Sequence, residues 1–289
     1  MNKSNFQIFI ESFVATLLSI LKVLLFFKPV RNNFTAPIKS KCIILGNGPS
    51  LDNSIHEYED ELHNYELICV NMFPVTKLYI KLKPKYLVIV APELWMEDVN
   101  EEEKKKSELL FNAIVNFTTW KLNLIVPVLA KKSSWMNLLR ENKFININFI
   151  NTVPIEGFKW FKHAMFKRYV GMPRPHNVLI PSILLAINLD FREVYLLGAD
   201  HSWLPEIKVD NSNNVLMGQK HFYDYEPAHA KPMTIRGKGK RNMHELLHKF
   251  VHTFHAYFIL EKFAKNNNTR IFNATPVSYI DAFERKKLI

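Results

Sequence analysis

Gly46-Asn47-Gly48-Pro49-Ser50 is the segment of this sequence best suited to chemistry. Two glycines one residue apart let the backbone turn tightly and approach a phosphate or a ribose. Ser50 is suited to cap a following helix, whose amino end attracts anions. The segment directly follows the apolar run Cys42–Leu45. Other polar groups stand in the same relation to later runs: Asn71 after Leu67–Val70, Ala91-Pro92-Glu93 after Tyr86–Val90, and Gly198-Ala199-Asp200 after Val194–Leu197. Carboxamides such as Asn47 and Asn71 bond sugar hydroxyls, bases and phosphates alike. Gly46, Asn47, Gly48, Pro49, Ser50, Asn71 and Pro92 are therefore read as nucleotide-binding positions. A dinucleotide fingerprint would need a glycine near Leu51 and an acid in place of Asn71, and no Gly-Lys-Ser/Thr follows the loop to make a phosphate-binding P-loop. None of the eight aspartates lies two positions from another, so an Asp-x-Asp metal clamp is missing and neither a metal nor a cofactor is expected.

The elements that must hold these residues alternate along the chain. Strand-like runs (those above, with Leu122–Val126, Ile145–Ile150 and Ile271–Phe272) are separated by helical stretches such as Glu101–Val115, Ser133–Asn142 and Val178–Leu189. Continuous apolar strands with intervening helices imply a parallel sheet covered on both faces. The expected fold is α/β: a Rossmann-like, doubly wound, mainly parallel sheet, which binds ligands beyond the carboxyl ends of its strands. Two stretches break the rhythm, 154–177, which is aromatic, basic and proline-bearing, and 201–240, which is polar with no clear period; both are read as functional loops or a lid-like insertion. A last long helix is expected over Asn242–Lys265, with Leu247, Phe250, Val251, Phe254 and Phe258 among its buried stripe.

At 289 residues, 48% hydrophobic and 22% charged, the chain is globular. Its net charge of +11 favours anionic partners such as nucleotides, acidic glycans or an anionic membrane surface. Lys and Arg are spread along the chain without a nucleic-acid module, so nucleic acid is not expected. Cys42 and Cys69 sit in apolar runs and read as buried, reduced thiols of a cytosolic protein. Phe6 to Phe27 is almost wholly apolar, broken by Gln7, Glu11 and Lys22, and Lys28, Arg31, Lys39 and Lys41 follow. It lacks a cleavage site and reads as a membrane-associated helix (residues 1–31), either a span or an in-plane helix. The basic residues after it put the remainder on the cytoplasmic face of a bacterial inner membrane, as a peripheral or single-pass protein. Residues 32–40 read as a linker and 41–289 as the catalytic domain.

Ile43-Ile44-Leu45-Gly46-Asn47-Gly48-Pro49-Ser50-Leu51, Val70-Asn71-Met72-Phe73, the block Ala186 to Asp200, and Phe272-Asn273-Ala274-Thr275-Pro276-Val277-Ser278 together resemble the bacterial sialyltransferases of glycosyltransferase family 42. The opening motif also resembles a pterin pyrophosphokinase-like group. The sialyltransferase resemblance covers separated blocks between Lys41 and Phe283. It implies a GT-A-like variant of the Rossmann fold and metal-independent inverting transfer from CMP-sialic acid, with nucleotide contacts at Asn47 and Asn71. The family's small hydroxyl residues before the sixth-strand helix fall opposite Asn177 and Val178, which adds Asn177 to the nucleotide site. Its phosphate-assisting tyrosines are replaced by His201-Ser202-Trp203, and Tyr223, Tyr225 and Lys231 are candidate substitutes.

Inverting transfer needs a base for the acceptor hydroxyl, and histidine suits it. By its position between Gly-x-Asp and the last helix, the family's histidine matches His221 or His229. His221, close to Asp224, is preferred, with Asp200 completing the catalytic candidates. His201, beside Asp200, is a third base candidate or a phosphate contact. His244-Glu245-Leu246-Leu247-His248 matches the zinc-protease pattern but reads better as part of the covering helix. The expected partners are a nucleotide-sugar donor, a glycan or glycolipid acceptor and an anionic membrane surface, with self-association into a homo-oligomer left open. The alternatives are an ATP- and magnesium-dependent phosphotransferase and a non-catalytic nucleotide-sugar-binding protein.

Overall fold

A computed structural model describes residues 4–218, 220–224, 230–235 and 238–288. A long N-terminal helix, α1 (Asn5–Phe26), precedes the strands β1 (Lys41–Leu45), β2 (Glu66–Val70), β3 (Tyr86–Val88), β4 (Leu122–Pro127) and β5 (Ile145–Ile150). Between them lie α2 (Leu51–Glu57), α3 (Lys77–Leu82), α4 (Glu101–Phe117) and α5 (Trp135–Glu141). The chain then runs through α6 (Lys159–Lys167), α7 (Leu179–Asn188) and β6 (Glu193–Leu197). Five short strands follow: β7 (Ile207–Val209), β8 (Val215–Met217), β9 (Lys231–Pro232), β10 (Thr234–Ile235) and β11 (Lys238–Lys240). It closes with α8 (Met243–Lys265), β12 (Arg270–Asn273) and β13 (Glu284–Arg285).

Eight strands form one sheet in the order β13-β12-β6-β1-β2-β3-β4-β5, every neighbouring pair parallel. The expected doubly wound sheet is present. In β1, Cys42 and Ile44 face one apolar core and Ile43 and Leu45 the other, all fully buried. A strand covered on both faces needs such an unbroken apolar run. One core is closed by α6, α7 and α8, the other by α2, α3, α4 and α5. The chain order runs outward from β1 to β5 and then returns to β6 on the other side of β1. The carboxyl ends of β1 and β6 thus form the crevice where such sheets bind ligands.

Several details differ from expectation, each for a local reason. β3 stops at Val88: Ile89 still donates to Ile125, but its carbonyl accepts the Trp95 indole. The stretch 154–177 contains α6, and 201–240 contains two small antiparallel sheets. The buried stripe of α8 is Leu246, Phe250, Thr253, Tyr257, Leu260 and Ala264, whereas Leu247, Val251 and Phe258 are exposed. Apolar residues occupy two adjacent faces of this helix, and only packing selects between them. Residues 32–40 are no free linker: Asn33 N–H donates to Asn148 Oδ1, Thr35 N–H to Asn123 Oδ1 and Ile38 N–H to Glu66 Oε1. The segment is a strap, bonded in turn to side chains of β5, β4 and β2.

Candidate active site

The two central loops are zipped together. Gly46 N–H donates to Leu197 O and Gly48 N–H to Gly198 O, both at 2.8 Å. A Cβ on Gly46 would lie 2.5 Å from Gly198 O, and one on Gly48 would lie 2.0 Å from Asp200 Oδ2, so both positions exclude side chains. Asp200 is buried; its carboxylate accepts Ser50 N–H at 3.2 Å and the Ser50 hydroxyl at 2.9 Å. Burial raises its pKa, opposed by the Ser50 bonds. Ser50 was expected to cap α2 through its side chain; it makes no such bond, because its hydroxyl is turned to Asp200. The amides of Gly46, Gly48 and Ser50 are thus engaged within the protein, and a carboxylate occupies the amino end of the seven-residue α2.

What the loops leave for a ligand is a pair of oxygens. Asn47 Nδ2 donates to Val70 O at 3.1 Å, which fixes the orientation of its carboxamide, and Asn47 Oδ1 is buried without a hydrogen-bond partner among the described residues. Asn71 Oδ1, at the neighbouring strand end, is in the same state. Asn71 has a positive φ of 46°, a conformation asparagine tolerates better than most residues. Buried acceptors are normally satisfied, and exceptions concentrate at functional sites.

His221 is brought to the same place. Phe222 N–H donates to Asn47 O at 3.2 Å, and the Phe222 ring packs on Phe73 at 5.8 Å. The segment around Phe222 therefore lies over the first two loops. His221 Nδ1 is 3.2 Å from Asp224 Oδ2, and its ring stacks on Tyr223 at 5.0 Å. Burial lowers the His221 pKa and Asp224 pulls it back up. An Nδ1–H directed at Asp224 leaves Nε2 as the basic nitrogen. His229 and Tyr225 lie outside the described residues, as does the side chain of Lys231.

On the other side of the crevice a polar chain holds His201. Ile180 N–H donates to Asn177 Oδ1 at 3.2 Å, and Asn177 Nδ2 donates to Tyr257 OH at 2.5 Å. The tyrosine proton is then directed to His201 Nε2, 2.7 Å away. With Tyr257 donating, the Nε2 lone pair is used and the remaining proton sits on Nδ1; burial pulls the ring's pKa down to about 4, so it is neutral. Trp203 and Phe254 flank the ring, and His201 has a positive φ of 55°, a strained conformation of the kind found at functional sites. Asn177 and His201, chosen on separate grounds from the sequence, are thus in one network, and Tyr257 is the member the sequence concealed.

A cationic group stands beside it. His176 stacks on His252 at 5.8 Å, and its pKa falls to about 4, through burial first and then the charges of Lys249, His252, Arg174 and Arg241. Burial lowers the Lys249 pKa as well, with Arg241 adding to the effect and Glu93 opposing it. His176 Nε2 and Arg241 Nε are buried without partners among the described residues. Arg174 is engaged by both Glu156 oxygens, at 2.8 and 3.0 Å. No motif marks these residues; they come from the loop before α7, from α8 and, for Arg241, from the residues just before α8. Pro92 opens a short helical turn after β3 and is exposed. In the protease-like stretch Glu245 bonds the Asn242 N–H at 2.8 Å, and His248 contacts His252 at 2.9 Å. A cavity of about 360 Å³, lined by Lys39, Ser40, Lys41, Asn64 and Tyr65, lies at the amino ends of β1 and β2 and touches none of the site residues.

No family model matches the chain, and no curated protein matches it. Among solved structures it is similar to the MAf glycosyltransferase from Magnetospirillum magneticum AMB-1, with a TM-score of 0.48 and 10% identity. The similarity covers 94% of this chain and 38% of that one, so this chain spans well under half the neighbour's length.

Proposed function

We propose that this protein is a sialyltransferase-like glycosyltransferase that moves a sugar from a CMP-activated donor to a glycan or glycolipid acceptor by inverting, metal-independent displacement. The acceptor would be reached at the cytoplasmic face of a membrane. The observation that carries the reading is the pair of carboxamide oxygens of Asn47 and Asn71, buried at the carboxyl ends of β1 and β2 without a partner among the described residues. An oxygen lacking a donor selects a group that donates, such as a ribose hydroxyl or a base amino group. A phosphate, which only accepts, does not fit there. Phosphate belongs with the donors opposite: Nδ1–H of His201, His176, Lys249 and Arg241.

The chemistry follows from these assignments. His221, oriented by Asp224, takes the acceptor hydroxyl proton on Nε2 while the acceptor oxygen bonds the anomeric carbon. The bond from that carbon to the phosphate oxygen breaks as this happens, with inversion. His201, neutral at physiological pH, supplies a hydrogen bond to the departing phosphate, and Lys249 and Arg241 supply charge. Asp200 acts indirectly, by clamping Ser50 and with it the Asn47 loop. The segment around Phe222 must lift to admit the donor.

A thermal-shift panel of CMP, CDP, UDP, GDP and ATP, with and without magnesium, tests the assignment. Selective stabilisation by CMP in EDTA is expected, since a ligand bound only to the folded state raises its stability. Selective stabilisation by ATP with magnesium would point to the phosphotransferase. His221→Ala should lower turnover by roughly 10²–10⁴-fold with CMP binding retained, read by donor consumption in the presence of acceptor.

A further inference from the structure

Helix α1 is inside out. The positions it turns toward the protein are hydroxylated or small, with one lysine: Thr16 and Ser19 are buried, and Ser12, Ala15, Lys22 and Val23 are half-buried. These recur every three or four residues and form one stripe. The remaining faces carry large apolar side chains in the open, with Phe6 73%, Leu17 51%, Leu24 78% and Phe26 64% exposed. A helix at a water surface has the opposite pattern. The docked stripe is bonded along its length. Phe158 N–H donates to Thr16 Oγ1 at 3.0 Å, and Glu156 N–H donates to Ser19 Oγ at 2.8 Å, whose hydroxyl donates back to Glu156 O at 3.1 Å. Lys22 pairs with Glu156 at 3.7 Å, and the rings of Phe9 and Phe158 pack at 5.5 Å. Gly157 makes the approach feasible, since a Cβ there would lie 2.0 Å from Thr16 Oγ1. Just past the helix, Lys28 N–H donates to Asn151 Oδ1, and the strap follows.

From this we infer that α1 lies flat in the interface of one membrane leaflet instead of crossing the bilayer, its hydroxylated stripe on the protein and its apolar faces in lipid. The inference rests on the membrane association expected from the sequence of this helix and is independent of the transferase chemistry. Contacts run from Phe9 to Lys28, roughly 28 Å at 1.5 Å per residue, which is about the thickness of the hydrocarbon core. A spanning helix would have to shed all of them or draw the loop around Glu156 and Arg174 into hydrocarbon, where unsatisfied polar groups are costly. The surroundings suit an interface. Trp160 is 70% exposed and stacks on Phe158, and Lys159 reaches Asn266 at the end of α8. The charge of Lys162 is felt by His255 on α8, together with that of Lys262. Aromatic and basic residues at the edge of an apolar surface match anionic headgroups. A second copy docking on the same face would instead set lysines against lysines.

Depth measurements on the full chain test this. Cys42 and Cys69 are wholly buried, so single cysteines introduced as Phe6→Cys, Phe13→Cys, Leu17→Cys and Leu24→Cys can carry a fluorophore, with Ser12→Cys as the docked control. The protein is mixed with phosphatidylglycerol-containing vesicles bearing shallow or deep quenchers. The four outward sites should all respond chiefly to the shallow quencher, with Phe6 and Leu24 at equal depth and the Ser12 site little affected. Binding should weaken on the order of a hundredfold on pure phosphatidylcholine. A profile deepest at Phe13 and Leu17, with Phe6 at the far leaflet, would overturn the in-plane placement. Absence of vesicle flotation, or dimerisation through this face in sedimentation, would overturn the lipid assignment itself. Thermal shift with CMP on the same samples reports separately on the transferase reading.

Discussion

His176 and His201 are held neutral inside the fold, each with a pKa near 4 against an ordinary value near 6.5. Between those values the unfolded chain binds more protons than the folded one. The stability these rings contribute is whole above pH 6.5 and is lost as pH falls toward 4. Complete burial would make the loss about 3 kcal/mol per histidine, and the partial exposure of both rings reduces it. Urea unfolding of His201→Gln at pH 7 and pH 4.5 should therefore show a smaller drop than the parent protein. A second prediction uses the sign of an effect. Asn71→Gly removes a buried oxygen that has no partner among the described residues and suits the positive φ, so stability should hold or rise. CMP binding should weaken about tenfold if that oxygen accepts a ligand hydrogen bond. Thermal unfolding and calorimetric titration of the one variant give both readings.

The decisive unit among elements is the clamp between the loops after β1 and β6. Gly48→Ala forces a methyl onto the Asp200 carboxylate and should destabilise the protein by about 2 kcal/mol or more. Ser50→Ala only removes a hydroxyl bond and should cost about 1 kcal/mol. The order of the two, measured by denaturant midpoints, separates the close approach from the bond. The alternation of strands and helices was legible because strands buried on both faces leave an unmistakable apolar run. The carboxyl ends of those strands then marked Asn47, Asn71 and Asp200 without further information. The buried side of α8 was not legible: Leu247 and Val251 are as apolar as Leu246 and Phe250, and sequence period cannot choose between adjacent faces. The true role of Ser50 is hidden in the sequence because the partner of its hydroxyl lies 150 residues away.

Across the whole molecule, the net charge of +11 and the apolar outer faces of α1 act together. Vesicle binding should fall at least tenfold between low salt and about 0.5 M salt, since screening weakens the lysine contribution and leaves the apolar one. Residual binding at high salt measures the helix alone. Glu156 joins α1 to the crevice: its backbone exchanges hydrogen bonds with Ser19, and its carboxylate pairs with Lys22 and accepts from Arg174. Arg174 lies three residues before Asn177 in the loop that enters α7, and Asn177 belongs to the network around His201. Attachment of the helix and placement of that loop therefore share one carboxylate.

The sequence alone determined the parallel sheet, the polar strand ends and a long, almost wholly apolar N-terminal segment, since each is written in neighbouring residues. Tertiary structure decided which loop amides are already taken, that the His201 ring is held neutral, and that α1 presents its hydroxyls inward. Those outcomes depend on partners such as Asp200, Tyr257 and Glu156, from 56 to 150 residues away along the chain, and folding alone brings them within bonding distance.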